Sequence, residues 1–134
     1  MTFWHPRLLV GGMSHYMLPT RGFKHRVDNS LVLDGRYADE AIALLLTQID
    51  KVGAPHKEYQ VKLFGGGDMF PQAHNNRMSR IGCQNVQAAY QLSKQHGFTC
   101  VSEHLGGIGH RDVIFEVWSG DVWIKHNYII NSRA

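Results

Sequence analysis

The sequence predicts an α/β domain, and three observations carry that expectation. Two stretches repeat apolar residues at helical spacing, short runs rich in β-branched and aromatic residues lie between turn signals, and no repeat, low-complexity tract or linker divides the chain. At 134 residues the chain is expected to form one domain, 1–134, long enough to bury a core. Its 43% hydrophobic and 19% charged residues exclude a disordered segment.

Met1–Trp4 is short, apolar and aromatic, and reads as the end of a strand whose beginning is absent. Gly11-Gly12 then reads as a tight glycine turn that also lets another chain approach closely. Residues 21–34, with Arg21, Lys24, Arg26 and nearby Arg36, show no periodicity and read as an exposed loop ending at the Asp34-Gly35 turn signal. A helix is expected from about Tyr37 to Val52, with Ala38, Ala41, Ile42, Leu45, Ile49 and Val52 on one stripe. Asp39 and Glu40 suit its first turn, Lys51 its last, and Gly53 its stop.

Tyr59–Phe64 alternates as a strand and runs into Gly65-Gly66-Gly67. A second helix is expected over Ile81–His96, with Val86, Ala89 and Leu92 inward and Gly97 as its end. Phe98–Ser102, Val113–Val117 and Val122–Lys125 read as strands, the last two joined by a turn at Ser119-Gly120-Asp121. The residues after His126 read as a frayed end.

Composition narrows the function classes. A net charge of +3 permits an acidic partner, but no basic run or base-stacking motif points to nucleic acid. No apolar stretch reaches the length of a membrane span, and the amino-terminal residues lack the pattern of a signal peptide. Cys83 and Cys100 do not make a disulfide framework, so a reducing cytoplasm is the expected compartment.

The chemistry concentrates in Gly11-Gly12-Met13-Ser14-His15-Tyr16-Met17-Leu18-Pro19. Met13, Tyr16, Met17 and Leu18 can anchor the segment in a core, and a fixed imidazole near neutrality suits proton transfer to or from a thiol. A core histidine bonded to backbone is the plainer reading of the same run. Gly65-Gly66-Gly67 and Gly106-Gly107-Ile108-Gly109 could cradle an anion, but lack the phosphate-loop and dinucleotide patterns; turns with special backbone angles are the simpler reading. Nine scattered histidines show no metal-ligand spacing, so no metal is expected. Cys83, read as lying near a helix start, is a candidate thiol, whereas Cys100 is expected to be buried filler. Asp112, Glu116 and Asp121 read as surface charge around a hairpin.

Taken in order, the Gly11–Pro19 run, Arg36-Tyr37, the helix around Leu44–Leu46, Lys62-Leu63-Phe64-Gly65-Gly66-Gly67, Ile81-Gly82 with Asn85-Val86, and Leu105-Gly106-Gly107 with Arg111 and Val113 resemble the CheD family of bacterial chemotaxis. The resemblance runs from about Phe3 to Lys125. It implies a layered α/β sandwich, mixed β-sheet with helices packed outside, similar to cysteine-hydrolase-like toxin deamidase domains. It also implies hydrolysis of selected glutamine side chains to glutamate on methyl-accepting chemotaxis receptors, without metal or other cofactor. A thiolate attacks the amide carbon, a histidine handles protons, and a threonine orients the histidine. His15 stands at the family's catalytic histidine. CheC, a phosphatase of the phosphorylated response regulator, is the further partner the resemblance implies.

The family's nucleophile belongs to a Gly-Ser-Cys motif on the segment before the glycine–histidine run, with the threonine earlier still; both would lie upstream of Met1. Thr2 does not occupy the threonine position. The domain is therefore expected to lack its amino-terminal strand segment, which should expose a sheet edge and favour aggregation. His104 stands where an aspartate is usual and His110 where a glycine is usual, leaving the shape of that loop open. Three readings follow: a deamidase whose start lies upstream, a binding module for receptor or CheC without catalysis, and an unrelated site built from Cys83 and His15.

Overall fold

The computed structural model describes residues 1–22, 32–72 and 77–128. Six strands and two helices follow one another as β1 (Thr2–His5), β2 (Val10–Met13), α1 (Ala38–Val52), β3 (Gln60–Gly65), α2 (Arg77–Gln95), β4 (Thr99–Leu105), β5 (His110–Phe115) and β6 (Val122–Asn127). A single 3-10 turn, His56–Glu58, leads into β3.

The strands form a four-stranded sheet in the order β2-β1-β3-β4 and a separate β5-β6 pair. β1 runs antiparallel to both β2 and β3. β3 and β4 are parallel, as a strand–helix–strand unit through α2 requires. The mixed sheet and its helices confirm the α/β expectation.

Strand alternation separates the layers. Phe3, Val61 and Leu63 join Ile42 and Ile49 of α1, Ala89 of α2, Tyr59 and Phe98 in one core. The intervening residues face the β5-β6 pair: the Trp4 indole donates to Val117 O at 2.6 Å, and Lys62 Nζ donates to Gly120 O at 2.8 Å. The layers are thus helices, mixed sheet and hairpin.

α1 forms as its stripe requires, with Ala38, Ala41, Ile42 and Ile49 buried and Leu45 packed against the core, although Val52 is exposed. Gly53 closes it with its N–H on Ile49 O and Asp50 O. α2 begins at Arg77, four residues before Ile81, where the apolar stripe starts. β4 runs three residues past Ser102, and β5 starts at His110.

Gly11-Gly12 does not form the expected turn; both residues lie within β2, and the close approach explains them. A Cβ on Gly11 would meet Phe3 O at 2.5 Å and the Phe115 ring at 3.0 Å, so the hairpin layer rests on bare backbone there. Cys100 is exposed, not buried, because β4 is a sheet edge whose residues 99–104 all reach solvent. Of the basic stretch, Arg36 is paired with Asp34, and Arg21 forks onto Glu40 through Nε at 2.9 Å and Nη2 at 2.6 Å. Both are spent within the fold, while Lys24 and Arg26 lie outside the described residues, as does the expected frayed end from 129 onward. Among the described residues no helix is long and apolar enough to cross a membrane.

Candidate active site

β1 and β2 end their ladder with a reciprocal pair: the Met1 amine donates to Ser14 O and the Ser14 N–H donates to Met1 O, each at 2.9 Å. His15 is the next residue, where the chain leaves the sheet. A cavity of about 120 Å³ opens at this point. Met1, Ser14, His15 and Tyr16 form one wall, Leu63–Gly66 and Leu105 the second, and Asn85, Val86 and Ala89 of α2 the third.

The second wall is built by two turns bonded to each other. Gly106 N–H donates to Gly65 O at 2.9 Å, Asp68 N–H to Gly107 O at 2.8 Å, and Gly109 N–H to Asp68 O at 2.8 Å. The glycines therefore serve as paired turns, as the simpler reading has it. The third wall presses closely on the second: a Cβ on Gly82 would lie 2.8 Å from Gly66 O, and one on Gly66 would lie 2.4 Å from Val86 Cγ2.

His15 is exposed, and among the described residues no group hydrogen-bonds its imidazole. It is not the backbone-bonded core histidine of the plainer reading; His5 is. His5 is 1% exposed, accepts from Leu8 N–H at Nδ1 (3.2 Å), and so carries its proton on Nε2 toward Glu58 at 3.0 Å. Burial pushes the Tyr16 phenol up to about 12, so it stays a neutral donor, bonded to Asn85 O at 2.8 Å. Burial lowers the Met1 amine to about 6.

The pieces lining this cavity are far apart in sequence, yet they are the ones that carry the resemblance: Ser14-His15-Tyr16, Leu63-Phe64-Gly65-Gly66, Asn85-Val86 and Leu105. The profile described as "CheD chemotactic sensory transduction" matches residues 17–126. The chain belongs to the CheD family. It is 46% identical over 127 residues to the "Probable chemoreceptor glutamine deamidase CheD" of Pseudomonas savastanoi pv. phaseolicola (strain 1448A / Race 6), covering 94% of this chain and 69% of that one. The Pseudomonas fluorescens (strain SBW25) protein of the same name is 43% identical over 127 residues, with the same two shares. A more distant relative, "Probable chemoreceptor glutamine deamidase CheD 1" of Leptospira interrogans serogroup Icterohaemorrhagiae, is 35% identical over 128 residues, covering 92% of this chain and 74% of its own.

Neither cysteine of this CheD chain joins His15. Cys83 is exposed on α2, seven residues along the helix and not at its start, and it does not line the cavity. The Cys100 thiol lies on β4, donates toward Ser102 O at 3.6 Å, and is raised chiefly by desolvation, the wrong direction for a thiolate. The loop with the two unusual histidines closes without the aspartate: Arg111 Nε donates to His104 Nδ1 at 2.7 Å and Nη2 to Gly106 O at 2.6 Å. Among the described residues no group of histidine, cysteine, aspartate and glutamate could hold a metal ion. Of the residues expected to anchor the His15 run, Tyr16 packs against the core, whereas Met13, Met17 and Leu18 are exposed; Asn85 is a cavity residue that only its place in a CheD motif signalled.

Proposed function

We propose that this chain acts in hydrolysis of glutamine side-chain amides on methyl-accepting chemotaxis receptors, with His15 as its proton-handling residue. The relatives' names supply the reaction; one observation carries the site. The β1–β2 register pairs Thr2 with Met13, and the β1–β3 register pairs Thr2 with Lys62. A residue placed before Met1 in the same register would pair with His15 on one side and Phe64 on the other. A thiol on a segment leading into β1 would therefore enter the cavity beside His15.

The chemistry then balances within the site. The thiolate attacks the amide carbon, and the carbonyl electrons move to oxygen. Collapse of that intermediate expels the amine, which takes its proton from the imidazolium of His15 and leaves as ammonia. Water attacks the resulting thioester while His15 accepts its proton, giving glutamate and regenerating the thiolate. In this reading 1–134 is the domain without its first strand segment, the reaction takes place in the cytoplasm, and CheC is a second partner.

Intact mass and the amino-terminal peptide of the protein made in its own cells, with ammonia release from a receptor cytoplasmic fragment, test the reading. A cysteine-bearing extension and hydrolysis that is lost in His15→Ala support it. A native chain beginning at Met1 that binds the receptor without hydrolysis would replace it with the binding-module reading.

A further inference from the structure

The proposed acid–base residue has no side-chain partner among the described residues. The residues around it are tied instead. Ser14 is bonded twice to Met1, and the Met17 N–H donates to Arg36 O at 2.8 Å. Between these ties, α2 holds the segment in both directions. Tyr16 OH donates to Asn85 O at 2.8 Å, and Asn85 Nδ2 donates to Met17 O at 2.8 Å.

We infer that Asn85, together with Tyr16, is a positioning residue of this site, beside the threonine that the resemblance places upstream: the two-way bond to residues 16 and 17 sets where the chain carries the His15 imidazole over the cavity. Three features favour this over a merely structural contact. The Asn85 amide has one orientation, because Met17 O can only accept, and this leaves Oδ1 buried without a partner among the described residues. A buried acceptor left unpaired weakens a fold, so stability alone would favour an apolar side chain here. The same helix face also rests on the opposite wall, through Gly82 against Gly66 O and Val86 against Gly66. Asn85 thus holds the His15 segment from the helix that also fixes the wall it faces.

The inference rests on the proposed function, and its test separates the two. Tyr16→Phe keeps the ring and removes the hydroxyl; Asn85→Leu keeps approximate volume and removes the amide donor. Both are made in the full protein in its own cells, beside His15→Ala. Deamidation of a receptor cytoplasmic fragment gives kcat and KM, and the carbon-bound proton resonances of the His15 ring report its surroundings by NMR. In either variant kcat is expected to fall about tenfold with KM within about twofold, as for a displaced catalytic group, and the His15 ring resonances shift or broaden. Folded variants in which kcat and those resonances stay as in the parent would overturn the inference, with Tyr16→Phe deciding if Asn85→Leu fails to fold. If His15→Ala itself deamidates normally, the proposed function falls, and the ring resonances alone then decide for or against the clamp.

Discussion

In a chain prepared to begin at Met1, as residues 1–134 alone, the amine buried at the β1–β2 end makes stability depend on pH in a way that one modification isolates. The amine is ordinarily near 8.0 and is lowered to about 6 by burial. Between those values the unfolded chain holds a proton that the folded chain has released, so stability rises with pH across the window. The two-unit difference corresponds to about 2.7 kcal/mol, absent penalty above pH 8 and full penalty below pH 6. Acetylating the amine removes the titration but keeps a donor N–H for Ser14 O, and the adjoining cavity of about 120 Å³ leaves room for the acetyl group. Every side chain is common to the two forms. Urea unfolding of free and acetylated chain at pH 5.5 and 8.5 therefore isolates the amine as a difference of slopes. The free chain is expected to lose about 2 to 3 kcal/mol more than the acetylated chain on acidification. Equal losses would refute the buried amine and, with it, the closed β1–β2 end that frames the site.

Four further outcomes follow from the packing. Gly82→Ala places a methyl 2.8 Å from Gly66 O, so α2 must move off the cavity wall; a loss of about 1–3 kcal/mol in chemical denaturation is expected. Leu63→Ala empties a fully buried position in the central strand and should lower stability by about 2–5 kcal/mol in the same assay. Cys83→Ser and Cys100→Ser change exposed residues outside the cavity and should leave unfolding free energy within about 0.5 kcal/mol of the parent. His104→Asp replaces the imidazole acceptor of Arg111 with a carboxylate and so makes that hydrogen bond an ion pair; the melting temperature at about pH 7 should rise above the parent's.

The fold was largely legible where a period repeats. α1 showed itself through a stripe flanked by acidic and basic turns, β3 through alternation, and β6 through the Ser119-Gly120-Asp121 turn that leads into it. What was hidden depended on partners distant in sequence. Gly11-Gly12 looked like a turn because nothing local announces that Phe3 and Phe115 press against the backbone of β2. Cys100 alternated like a core residue, but whether a strand is central or at an edge is fixed by sheet order, not by its own residues. Likewise His15 was legible as a candidate from its motif alone. Its cavity was not, since the walls come from residues 1, 14–16, 63–66, 85, 86, 89 and 105, and only the fold brings them together. The bonds of Asn85 with Tyr16 and Met17 span sequence separations of 69 and 68 residues and leave no trace in local periodicity.

The central claim is that the cavity between the β1–β2 end, β3 and α2 is where a glutamine amide is hydrolysed with His15 moving the proton. Ammonia release from a chemoreceptor cytoplasmic fragment, compared between the native protein and its His15→Ala variant at equal folded concentration, tests it most directly. The account expects a loss of about 10²–10⁴-fold in kcat, the range for removing a general acid–base group. Activity within a few-fold of the parent would contradict it.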